Sequence, residues 1–92
     1  NGHNHMYERF APQNADGRAD ATGPRQFVVG TGGYPLYGRE RSPANSEILN
    51  SETWGVLKLT LKSSSYTWEF VPVEGRTFRD SGSGSCSPRP PA

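Results

Sequence analysis

The chain has 92 residues, a net charge of +1, 32% hydrophobic residues, 11 glycines and 8 prolines. That length allows one small domain at most, and the low apolar content assigns much of the chain to loops. Interspersed, near-neutral charge gives no footprint for nucleic acid or an anionic membrane, and no apolar run approaches spanning length.

The chain opens on Gly2-His3-Asn4-His5, followed by Met6-Tyr7-Glu8-Arg9-Phe10. In extended backbone, residues two apart share a face, so His3 and His5 can aim at one point or at two adjacent ions. Imidazole suits zinc, iron and other transition metals, and it ligates only when neutral. A glycine before the first histidine permits a close backbone approach. The bare triplet does not separate a metal site from a chance surface pair. Residues 1–10 read as a loop running into an aromatic anchor, Tyr7 and Phe10. Glu8 and Arg9 are candidates for an ion pair holding that loop, and Glu8 also for accepting the free N–H of a ligating histidine.

Residues 11–25 carry Pro12, Asn14, Asp16, Gly17, Asp20, Gly23 and Pro24, which is turn chemistry on a surface. Asp16 and Asp20 lack the other oxygen donors of a calcium loop and read as solvated charges. Gln26–Gly30 is a short, β-branched apolar run, expected to be a central strand buried on both faces. Gly30-Thr31-Gly32-Gly33 then fails the phosphate-loop and dinucleotide patterns, because Tyr34-Pro35 supplies neither the lysine nor the helix. It reads as a tight exit from the strand. Residues 34–53 form a long irregular connection with a charged patch at Arg39, Glu40 and Arg41. Tyr34 and Tyr37 either line a cleft or cover the sheet.

Trp54–Lys62 alternates, with Leu57, Leu59 and Leu61 on one face. Tyr66–Val73 alternates again, with Tyr66, Trp68 and Phe70 together, and Ser63–Ser65 joins the two runs into a hairpin. Lys58 or Lys62 faces Glu69 on the solvent side. Glu74-Gly75 marks a turn, and Thr77-Phe78 is a candidate for a last short pairing. The expected architecture is one mainly antiparallel sheet with Gln26–Gly30 beside the hairpin. The leucine and aromatic face is expected to need cover from layers outside this chain. From Ser81 the Ser/Gly/Pro-rich sequence lacks apolar surface and reads as a flexible tail. Cys86 is the only cysteine; pairing with an upstream cysteine and a free thiol both remain open.

The string Gly2-His3-Asn4-His5-Met6-Tyr7-Glu8-Arg9 resembles the last metal-binding motif of the calcineurin-like metallophosphoesterases, closest to the purple acid phosphatase-like branch of bacterial secreted type. Arg25–Gly33, Asn45–Glu47, Gly55–Leu61 and Tyr66–Val73 resemble the remainder of such a C-terminal end, in order, so the likeness covers about residues 1–80. It implies a mainly β fragment, a hairpin plus a buried strand, of an α/β metallophosphoesterase sandwich, with residues 81–92 as the tail. It implies two metal ions, iron, zinc or manganese, bridged by hydroxide, with His3 on one and His5 on the other. It also implies a phosphate ester substrate, no nucleic acid or membrane partner, and a secreted location. The family's Asp-x-His, Gly-Asp and Gly-Asn-His motifs and a further histidine do not occur in these residues. The expectation is therefore the C-terminal piece of a longer hydrolase, completed by the remainder of its domain, inactive alone and holding no catalytic acid or base of its own. The alternative is a non-catalytic β module with incidental histidines, whose aromatic hairpin docks on a partner domain. His-Asn-His is not an HNH nuclease motif, which needs a longer ββα element.

Overall fold

The two alternating runs form the expected hairpin, β4 (Gly55–Leu61) and β5 (Ser65–Pro72), in the computed structural model, which describes residues 1–37 and 43–86. Their register sets Leu57, Leu59 and Leu61 opposite Phe70, Trp68 and Tyr66, and Lys58 opposite Glu69. The other strands are β1 (Tyr7–Phe10), β2 (Phe27–Val29), β3 (Ser46–Asn50) and β6 (Asp80–Ser85). All pairings are antiparallel, in two three-stranded sheets ordered β2-β1-β3 and β4-β5-β6. Among the described residues there is no helix, so the chain is mainly β.

The two sheets meet through β1 and β5. Tyr7 and Arg9 share one face of β1, and Val29 and Phe27 lie opposite them in β2. Tyr7 packs on Phe70 with ring centroids 4.7 Å apart, and Phe27 meets the edge of Trp68 at 5.4 Å. The Arg9 and Arg25 guanidiniums lie 5.3 and 4.8 Å from the Trp68 centroid. Met6, Tyr7, Phe10, Val28, Trp68 and Phe70 form the buried core.

Several expectations change here. Residues 7–10 are a strand rather than part of a loop, and they occupy the central place expected for Gln26–Gly30. β2 therefore sits at a sheet edge, in the sheet that excludes the hairpin. Its outer edge is bound by Asn1: Val29 N–H donates to Asn1 O at 2.6 Å, and the Asn1 ammonium donates to Phe27 O at 2.9 Å. The connection 34–53 contains β3, which the sequence hides because Ile48 and Leu49 are adjacent and do not alternate; pairing with β1 makes the strand. The charged patch Arg39–Arg41 lies outside the described residues. Thr77-Phe78 forms no pairing; Asp80–Ser85 does, where a flexible tail was expected from Ser81. Residues 87–92 lie outside the described residues. The aromatic face of the hairpin is covered by β1 and β2 of this same chain, with Trp68 and Phe70 buried, while Leu59 and Leu61 remain 48% and 74% exposed. Cys86 is a free, exposed thiol.

Candidate functional site

The histidine segment clasps the end of β2. Asn1 lies on the outer edge of that strand and β1 on the inner edge, so Gly2–His5 must cross over its end. The crossing is tight. Gly2 lies against Val29 O, and a Cβ at Gly30 would fall inside the Asn4 carbonyl, so only glycine fits at 30. Met6 N–H donates to Asn4 O at 2.9 Å and Gly30 N–H to Met6 O at 2.9 Å, which closes the clasp.

His3 is exposed and His5 is half-buried. His5 Nδ1 lies 3.2 Å from Pro35 O. A carbonyl only accepts, so Nδ1 donates to it, and in the neutral ring the lone pair is on Nε2. A backbone carbonyl behind one ring nitrogen is the arrangement metal-ligating histidines use. The His5 ring stacks on Tyr34 with centroids 5.7 Å apart and meets Tyr37 at 5.2 Å. Beside it opens a cleft of about 760 Å³ whose walls include Gly30, Gly32, Gly33 and Tyr34. The donor set suits a transition metal, and among the described residues no group of three or more His, Cys, Asp or Glu side chains forms a complete cage. His5, with its Nδ1 on a carbonyl, has the arrangement of a ligand; His3 lies exposed two residues before it.

Glu8 is fully buried on the other face of β1 from Arg9, so the two are not a pair; neighbours along a strand point apart. Among the described residues, Glu8 Oε2 accepts a 2.7 Å hydrogen bond from Ser46 Oγ of β3.

Arg9 instead reaches Asp80 and Glu47. Asp80 Oδ2 accepts from Tyr7 Oη at 2.6 Å, Arg9 Nε at 2.8 Å and Trp68 Nε1 at 3.2 Å, and Oδ1 accepts from Arg9 Nη2 at 3.2 Å. Glu47 takes a hydrogen bond from Arg9 Nη1 and another, at 2.7 Å, from Arg25 Nη1. Burial pushes the Asp80 carboxyl up, but the hydrogen bonds of Arg9 and Tyr7 and the Arg9 charge outweigh it and hold it below the usual carboxylate range. Burial and the Asp80 carboxylate raise the Tyr7 phenol far above its ordinary value. Burial lowers Arg9, but the hydrogen bond and charge of Asp80, with the charges of Glu47 and Tyr7, together outweigh it, and Arg9 stays cationic. This cluster fastens β1, and so the clasp, to the second sheet.

The sequence did not point to Asp80, which stands at the head of a Ser/Gly run. The carbonyl of Pro35 was equally invisible, because a backbone acceptor 30 residues from His5 leaves no residue signature. Tyr34 and Tyr37, left open by the sequence, stand at the histidine. No protein-family model, curated protein or solved structure matches the chain.

Proposed function

We propose that these residues are the C-terminal segment of a secreted, dinuclear-metal phosphoesterase domain of the calcineurin-like kind, and that they supply His3 and His5 as metal ligands from the clasp. The two-sheet arrangement is, on this reading, one part of an α/β metallophosphoesterase sandwich. The observation that carries the proposal is the His5 Nδ1–Pro35 O contact, which leaves Nε2 available as a donor at the mouth of a cleft. The segments that carry the family resemblance support it. Tyr7, Arg9, Arg25 and Glu47 are joined in one hydrogen-bonded cluster, and Gly30 is the residue the clasp closes over.

When bound, two ions of iron, zinc or manganese would neutralise charge on the phosphate ester and activate water for in-line displacement. This chain's part is to orient the His5 imidazole, brace the clasp through β1, and leave the cleft open to substrate. The remaining ligands belong to the remainder of the domain.

The test is metal content and p-nitrophenyl phosphate hydrolysis in the intact enzyme. His3→Ala and His5→Ala should each lose bound metal and most turnover. The 92-residue chain alone should not turn over with added Zn²⁺, Mn²⁺ or Fe³⁺, because one protein ligand per ion is too few. Retention of both ions and near-normal turnover in either variant would overturn the assignment.

A further inference from the structure

We propose that Tyr34, the more exposed of the two rings beside His5, is a ring-binding shelf for the alcohol part of the substrate, so that the site selects phosphate esters whose leaving group carries a planar ring. This rests on the phosphoesterase reading above.

Tyr34 is 76% exposed and Tyr37 47% exposed, yet neither is on a loose segment. The backbone of Tyr34 is pinned from the second sheet: Trp54 Nε1–H donates to Tyr34 O at 2.9 Å, and Gly55 N–H donates to Thr31 O at 3.0 Å. Thr31 Oγ donates in turn to Gly55 O at 2.8 Å. Tyr37 is tied to the clasp, its N–H to His5 O at 3.0 Å and its hydroxyl to Asn4 Oδ1 at 3.4 Å. The Tyr34 ring also rests against His5 above that fixed backbone, which reduces the ordering a stacking ligand must impose. Both rings adjoin His5 and Tyr34 lines the cleft, so a phosphate ester held at His5 has the Tyr34 ring within reach of its alcohol part. The cleft is of small-molecule size, and the residues lining it include no Asp, Glu, Lys or Arg, so flatness rather than charge does the selecting.

The test is binding to the intact, metal-loaded protein, by calorimetry, of adenosine 5′-monophosphate, phenyl phosphate and glycerol 3-phosphate. The ring-bearing ligands should bind about tenfold tighter than glycerol 3-phosphate, the scale of one stacking contact. Tyr34→Ala should abolish that preference, weakening the ring-bearing ligands about tenfold more than glycerol 3-phosphate; Tyr34→Phe should keep it. Preference for both ring ligands assigns a general planar group, and preference for the nucleotide alone assigns a nucleobase. An undiminished preference in Tyr34→Ala, or an equal loss for all three ligands, would overturn the shelf. Hydrolysis of the same three esters separates the two readings: ring preference in binding without turnover of any ester sinks the phosphoesterase and spares the shelf.

Discussion

Replacing Asp80 by asparagine keeps its shape and removes its charge. The carboxylate accepts hydrogen bonds from Tyr7, Trp68 and two nitrogens of Arg9, and it is 8% exposed. An asparagine oxygen can still serve Tyr7 and Trp68, but its amide then turns N–H groups toward Arg9. The charge-assisted bond from Arg9 Nη2 is lost, at about 1.5–3 kcal/mol, and the bonds from Arg9 Nε, Tyr7 and Trp68 lose the charge on their acceptor. The expected loss is about 2–4 kcal/mol, a large part of the stability of a small domain. With a urea slope of roughly 1–3 kcal/mol/M, the midpoint should fall by about 1 M or more, followed by tryptophan fluorescence. The sign with pH follows from the depressed carboxyl. The unfolded chain binds the Asp80 proton first, so the contribution is fully present above about 3.9, the unfolded value, and is lost as pH falls through the folded one. Wild type should weaken in acid by more than Asp80→Asn, and the gap between them should close as pH drops below about 4. An unchanged midpoint at neutral pH, or a gap that stays constant into acid, would refute the cluster as the tie between the sheets.

Gly30→Ala should open the clasp, costing roughly 1–3 kcal/mol and lowering metal content, because its Cβ would meet the Asn4 carbonyl. Gly32→Ala, where a Cβ meets nothing within 4 Å, should be neutral to within about 0.5 kcal/mol and serves as the control. In hydrogen exchange, the central strands β1 and β5 should protect their amides best, and β4 should alternate, since one of its edges has no strand beside it among the described residues. Uniform protection along β4 would show a further strand.

The hairpin was legible because its two strands alternate and each has one face to bury. β1 was not, because Glu8 and Arg9 put charge on both faces of a buried strand, and hydrophobic period cannot report a strand held by ion pairs. β3 and β6 become strands only through their neighbours, which is tertiary information. At the site, His3 and His5 were plain from their spacing, while the groups that orient His5 come from the segment 34–37. Nothing in that segment marks Pro35 as an acceptor or Tyr34 as a neighbour of the histidine until the chain brings it back to the clasp.

In β6 the order of residues matters more than their identity. Gly82 and Gly84 lie directly under Trp68 and Tyr66, where a Cβ would strike the rings, and Ser81, Ser83 and Ser85 alternate with them, exposed on the opposite face. The repeat is therefore phased: one side is a flat seat for aromatic rings and the other is a wettable surface. Sliding the same Ser-Gly letters along by one residue would preserve every measure of composition and place a serine beneath each ring. A stretch that looks like filler in its amino-acid content thus carries positional information, one bit per residue, read by the rings above it.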